Sequence, residues 1–180
     1  MLGVVFTEMV EMLEARFGPE EPERLLQAIA PTSGGNYTSL GYYPFEEMQR
    51  LLAVLVDRHG GSIEEWLREF GHHLLPRFAE GHPQFFADQP DLFSFLGGIE
   101  TQIHARVRSL YEGAEVPRFE VRREGDTLTL RYQSQRGLAA LARGLLEASA
   151  AYFQETISME ETDASGDRTD VVFVLRRRAA

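Results

Sequence analysis

The chain contains no cysteine in 180 residues. That excludes disulfides, a Cys-held zinc site and thiolate-ligated iron. Basic residues are scarce relative to acidic ones, 18 Lys and Arg against 28 Asp and Glu, for a net charge of −10. A surface of that sign repels nucleic acid and anionic membrane, which argues against a DNA-binding regulator. No apolar run approaches the roughly 18 residues of a membrane span, and the Met1–Glu8 start has neither a basic n-region nor a cleavage signal. A soluble cytoplasmic protein is the simplest expectation. There is no repeat, no domain linker and no phosphate-loop spacing in the Gly-containing segment 32–43. No Ser–His–Asp or paired-carboxylate grouping rises above chance among so many acids, so no enzyme activity is expected. The 43% hydrophobic content suits a single domain over residues 1–180, with enough core to enclose a ligand.

What the sequence does contain is a strand of unusual composition, Leu128–Arg136. Its odd positions, Thr129, Arg131, Gln133 and Gln135, are polar throughout. Its even positions begin apolar with Leu128 and Leu130, then become Tyr132, Ser134 and Arg136. Alternation of this kind predicts one buried and one wet face. Three donors on the inward face need partners, because an unpaired buried polar group costs about 1–3 kcal/mol. A planar guanidinium beside two hydroxyls suits a carboxylate or phosphate. An edge strand with a wet end would carry the same residues.

Upstream, Asp91–Tyr111 reads as a helix capped by Asp91, with an apolar stripe of Leu96, Ile99, Ile103, Val107 and Leu110. Phe93, Gly97, His104 and Tyr111 lie on its flank at helical spacing. A lone helical histidine is more often a satisfied boundary residue than a ligand. Here it precedes the anion trap by one loop and one hairpin. A large apolar ring with an iron centre and two carboxylates fits both: His104 would ligate the iron, and Tyr132, Ser134 and Arg136 would hold the propionates.

The run Ile103-His104, Leu110-Tyr111-Glu112-Gly113-Ala114, Pro117-Arg118-Phe119 and Tyr132-x-Ser134-x-Arg136-Gly137-Leu138 resembles the haem nitric oxide/oxygen-binding (H-NOX) family. That family also supplies the haem domain of soluble guanylate cyclase. The Tyr-x-Ser-x-Arg pattern alone is moderately specific; a helical histidine 28 residues ahead, with the Gly-Ala and Pro segment between, sharpens it. The resemblance covers essentially the whole chain, including the Met1–Phe6 start and the Trp66 to Phe78 segment. It implies haem b (iron protoporphyrin IX) as cofactor.

The remaining segments agree with such a fold. Helices are expected over 2–17 (Val5, Met9, Leu13 and Phe17 inward), about 22–30, and from Pro44 to Gly60. Ser62 and Glu65 form a capping box for a helix bearing Trp66, Phe70 and Leu74, which Pro76 should kink or end. A hairpin turn is expected at Glu124-Gly125-Asp126, a helix over about Leu138–Phe153, a loop over Met159–Asp170 and a closing strand over 171–178. The fold class is therefore α+β: an N-terminal helical part and a C-terminal antiparallel sheet with one inserted helix, the H-NOX fold. His59 suits a helix C-terminus; His72, His73 and His82 show no metal spacing, and Arg176–Arg178 reads as a solvated strand end.

The resemblance also places a distal pocket. Oxygen-binding relatives carry a tyrosine five residues after the motif arginine; this chain has Leu141. Their further polar positions correspond to Met9 and Leu74, with Val5, Phe78 and Leu145 completing an apolar wall. Bound O2 gains from a hydrogen-bond donor and NO does not need one, so the expected function is an NO sensor that excludes O2, with CO as a further gas. In the family's mechanism NO weakens the iron–histidine bond, and the change passes through Pro117, which resembles the residue packed against the ring. Output would come from a separate signalling protein such as a histidine kinase or a cyclic-di-nucleotide enzyme. The competing reading is a haem-free interaction module of the same fold, in which Tyr132, Ser134 and Arg136 bind another carboxylate. A haem peroxidase would need distal acid–base groups, and none is evident.

Overall fold

A computed structural model describes residues 1–178. The chain divides into two compact units, Met1–Phe70 and Gly71 onward. The first is helical, with α1 (Gly3–Phe17), α2 (Glu20–Ile29) and α3 (Phe45–His59), followed by the start of α4 (Ile63–Gly81). Phe6, Met9 and Leu13 of α1, Leu25 of α2, and Met48, Leu51, Leu52 and Leu55 of α3 are buried, so each helix turns one apolar stripe inward. The Ser62–Glu65 capping box forms: Ser62 N–H donates to the Glu65 carboxylate at 2.8 Å, and Glu65 N–H to Ser62 Oγ at 3.2 Å. His59 ends α3 as expected, but its partner is a side chain: Nε2 lies 2.8 Å from Glu21 Oε1, and the ring stacks on Phe17.

The long loop between α2 and α3 is ordered by one buried acid. Glu47 accepts from Thr32 Oγ1 (2.7 Å), Ser33 N–H (2.9 Å), Ser33 Oγ (2.7 Å) and Tyr37 Oη (2.9 Å). Four donors on one carboxylate replace the water it loses on burial.

The second unit contains the rest of α4, then α5 (Leu92–Gly98), a π-helical turn (Ile99–His104), α6 (Ala105–Leu110), β1 (Arg118–Glu124), β2 (Thr127–Gln133), α7 (Ala139–Tyr152), β3 (Ile157–Asp163) and β4 (Asp170–Arg177). The sheet is antiparallel throughout, in the order β1-β2-β4-β3. Leu128, Leu130 and Tyr132 of β2 and Val171, Phe173 and Leu175 of β4 are buried in one cluster with α5 and the small face of α7 (Ala139, Ala142, Leu146, Ala150). This is the α+β arrangement expected, with its inserted helix between β2 and β3.

Four local expectations are corrected. Helix α4 does not end at Pro76 but continues to Gly81, because Pro76 and His72 lie on its exposed face, where water can take the carbonyl that Pro leaves without a donor. The segment 159–170 is not all loop: β3 occupies its first part, pairing with β4 on one side only, as a charged edge strand. Leu110, assigned to the inward stripe, is 64% exposed at the end of α6. Arg177 is not a solvated strand end; it pairs with Glu155 (2.7 Å) and Asp91 (2.9 Å) and lies over the Phe93 ring.

Candidate functional site

Asp91 caps α5 as expected, accepting Ser94 N–H at 2.7 Å. The helix does not continue uniformly. Over Ile99–His104 it widens into a π turn, where Ala105 N–H reaches the Glu100 carbonyl five residues back. Such turns are rare and concentrate at functional positions. His104 closes this turn with its side chain mostly enclosed, 14% exposed. Its Nδ1 lies 3.2 Å from Glu100 Oε2, and its ring stacks on Phe119 of β1 at 5.3 Å between centroids. Burial lowers the imidazole's pKa; Glu100 and the Pro117 carbonyl pull it back only in part. The ring is therefore neutral at neutral pH. A carboxylate only accepts, so the proton sits on Nδ1 and Nε2 keeps its lone pair.

Phe119 also connects to the second group. It faces Tyr132 in the β1–β2 register, with the rings 5.8 Å apart. Tyr132 is buried on the inward face of β2 as predicted, and its hydroxyl accepts Leu138 N–H at 3.0 Å, at the start of α7. Burial pushes its phenol upward. Strand β2 stops at Gln133, three residues earlier than expected. Ser134 N–H bonds to Thr169 O and Gly137 N–H to Ser134 O, with Gly137 at a positive φ of 62°, so Ser134 and Arg136 stand on a turn rather than on a strand face. Arg136 turns toward the 111–117 segment: Nη1 donates to Glu115 O and Nη2 to Glu115 Oε2, each at 2.7 Å. Pro117 lies half-buried just before β1.

Residues 2–161 match the model of the haem-NO-binding family. The chain belongs to the haem-NO-binding family. H-NOX structures agree over nearly its full length. The ferrous, unliganded H-NOX protein of K. algicida is 30% identical, covering 100% of this chain and 98% of its own, with a TM-score of 0.93. The S. oneidensis H-NOX protein in its Fe(II)NO state is 25% identical, covering 99% and 100%, with a TM-score of 0.91. The H-NOX of Shewanella woodyi, in the Fe(II)CO state with IWP-051 bound, is 37% identical, covering 99% and 95%, with a TM-score of 0.84. No curated protein matches the sequence. Haem is the cofactor of this family of gas sensors, and it is the cofactor of this chain.

The donor set of the second unit fits haem. His104 offers a neutral imidazole nitrogen, and the Arg136 guanidinium already holds a carboxylate, that of the largely exposed Glu115, by the chemistry a propionate would use. Of the apolar candidates in this H-NOX chain, Leu74 and Phe78 stand on α4, and Leu141 and Leu145 on α7. Leu74 is buried, whereas Phe78, Leu141 and Leu145 are only partly so. The two helices approach closely: a Cβ on Gly71 would meet Leu145 N at 2.6 Å and Leu141 O at 2.7 Å. Val5 and Met9 stand on α1 in the first unit, Met9 fully buried and Val5 partly. None of the six side chains carries a hydrogen-bond donor, and the Met9 thioether is only a weak acceptor.

Sequence reasoning passed over Glu100, Phe119 and Glu115. For Glu100 the signal was available, since it lies four residues before His104 on the same helix. Phe119 becomes visible only once the β1–β2 register is known. Nothing local marked Glu115. Among the described residues no cluster of three or more His, Asp or Glu could hold a separate metal ion, and no helix is long and apolar enough to cross a membrane.

Proposed function

We propose that this chain is a haem-based NO sensor over residues 1–180, with His104 as the iron ligand, and that it discriminates against O2 and signals to a separate protein. The observation that carries the reading is the sequence of contacts His104–Phe119–Tyr132 in a family member. It brings a neutral imidazole to the same end of the sheet as the Tyr132, Ser134 and Arg136 donors. Ferrous haem supplies a gas-binding iron that takes NO strongly and holds O2 firmly only where a donor meets the charge O2 acquires.

The residues divide the work. His104 presents Nε2 because Nδ1 is committed to Glu100. Tyr132, Ser134 and Arg136 supply a phenol, a hydroxyl and a guanidinium for the two propionates. Leu74, Phe78, Leu141 and Leu145, and in the first unit Val5 and Met9, are the apolar positions that the family resemblance assigns to the distal side, and none of them gives a diatomic ligand a hydrogen bond. Pro117 is the route outward: its carbonyl is near the His104 ring, and the next residue opens β1. CO, which also needs no donor, is a second gas for the same site. The partner class, a histidine kinase or cyclic-di-nucleotide enzyme, rests on the family resemblance.

The test is the absorption spectrum of the reduced protein, first in air-saturated buffer and then with NO. The wild type should be unchanged by air and shift with NO. Leu141→Tyr should gain an oxygen-dependent shift with little change toward NO. One neutral hydrogen bond contributes about 0.5–1.5 kcal/mol, so the gain in O2 affinity should be about two- to tenfold. An air-induced shift in the wild type would overturn the NO-selective reading. Purification without a Soret band after haem-replete expression would favour the haem-free module.

A further inference from the structure

Glu100 gathers three donors from three elements on one carboxylate. Its Oε2 faces His104 Nδ1 at 3.2 Å and accepts Phe119 N–H, from the start of β1, at 3.1 Å. Its Oε1 accepts Arg108 Nη2, on α6, at 2.7 Å. The Glu100 carbonyl is also the acceptor of Ala105 N–H, the bond that makes the turn π-helical. Backbone and side chain of one residue therefore hold the segment that carries His104, and the same side chain reaches the sheet. Surface decoration does not explain this. The acid is three-quarters enclosed, and a helical Glu–Arg pair alone would need neither the strand amide nor the imidazole.

We propose that Glu100 is a positioning residue for the iron ligand: it accepts a hydrogen bond from His104 Nδ1–H, so that Nε2 is the nitrogen turned to the iron, and it ties that imidazole to β1 through Phe119. The inference rests on His104 being the ligand. Two consequences follow from the chemistry. A carboxylate accepting the far N–H of a ligating imidazole raises its basicity and fixes its ring orientation, as outer partners of metal-bound histidines do. Because Glu100 also holds the Phe119 amide, a displacement of His104 is resisted or passed on at the first residues of β1, a route separate from Pro117.

The decisive experiment replaces the ligand and keeps the acid. Haem-bound His104→Gly is titrated with imidazole and with 1-methylimidazole, which has no N–H to give. The same pair is then titrated into His104→Gly/Glu100→Ala. Imidazole should bind at least about tenfold tighter than 1-methylimidazole in the first background, as expected for a charge-assisted bond. The preference should fall about tenfold in the second, and any intrinsic difference between the two bases cancels. An equal preference in both backgrounds overturns the proposal and makes the Pro117 carbonyl the acceptor. A ferrous spectrum and iron–histidine band in His104→Gly unchanged from the wild type without any added base would instead overturn the ligand assignment, so the two failures are distinguishable. Should the double variant fail to fold or neither base bind, Glu100→Gln in the otherwise native haem protein decides. Its single amide oxygen can still accept from Phe119 N–H and His104 Nδ1, while the charge and the oxygen that accepts Arg108 are lost. Its iron–histidine stretching band should move to lower frequency at unchanged haem content; an unmoved band overturns the proposal.

Discussion

Arg136 holds Glu115 through two 2.7 Å bonds, one to the main chain and one to the carboxylate. A propionate arriving at this guanidinium exchanges one carboxylate for another, so the net gain is smaller than that of a bond formed from water. A charge-assisted bond contributes about 1.5–3 kcal/mol, which sets the expectation for Arg136→Ala: haem should pass to an acceptor apoprotein about tenfold faster. Gln133→Ala is the control. Its amide bonds to Asp170 at 3.1 Å, on the opposite face of β2 from Tyr132, and haem transfer should barely change. Equal acceleration in the two variants would show that the guanidinium plays no special part. At this scale the sequence was informative where residue type alone carries the chemistry. Tyr132 came out buried and inward because alternation decides its face. Ser134 and Arg136 were placed on a strand that ends before them, since nothing in nine alternating residues shows that Gly137 turns the chain at positive φ. Glu100 went unremarked because an acid near a histidine is commonplace until its third and fourth contacts are known.

Helices and strands were legible where their own residues decide them and obscure where a neighbour does. The capping box at Ser62 and the turn at Gly125 form as read, each determined by residues within four positions. Strand β3, Ile-Ser-Met-Glu-Glu-Thr-Asp, has the composition of a loop. It is a strand because β4 supplies a pairing edge, and because Arg176 takes Glu160 while Arg143 and Arg168 take Glu161. The π turn is likewise invisible to a 3.6-residue pattern, which simply continues through Ile99 and Ile103. Close helix crossing gives the prediction that belongs here. A Cβ at Gly71 would sit 2.6–2.7 Å from the backbone of Leu141, Gly144 and Leu145. Main-chain atoms of a buried helix cannot swing aside as a side chain can, so α4 must lift from α7. Gly71→Ala should cost about 1–3 kcal/mol, read as a drop in the thermal midpoint. Gly97→Ala, where the new methyl meets nothing within 4 Å, should be neutral or gain up to about 1 kcal/mol from helix propensity. A midpoint in Gly71→Ala no lower than in Gly97→Ala would mean that α4 and α7 adjust without strain.

For the molecule as a whole, the excess of acid bears on its response to pH, and one residue in the first unit makes a contribution that can be isolated. Burial raises the Glu47 carboxyl, but the hydroxyls of Ser33, Thr32 and Tyr37 and the Ser33 amide outweigh it, and its pKa falls from 4.5 to about 2. The folded value lies below the unfolded one, so the stabilisation is fully present above about pH 4.5 and is lost as pH falls from there toward 2. At 1.36 kcal/mol per pKa unit the shift corresponds to roughly 3 kcal/mol. Composition alone could not have singled this acid out from 28, because its donors sit 10–15 residues away in a loop without periodic pattern. The chain has one tryptophan, Trp66, buried in the same unit, so its fluorescence reports unfolding of that unit. At pH 7, Glu47→Gln should lower the Trp66 melting midpoint by about 6–12 °C, given roughly 2–4 °C per kcal/mol for a chain of this length. The gap between variant and wild type should stay constant down to about pH 4.5 and then narrow as the wild type loses the charge that the variant never had. A gap that persists unchanged to pH 3 would show that the hydroxyls around Glu47 hold the loop without needing the ionised carboxylate.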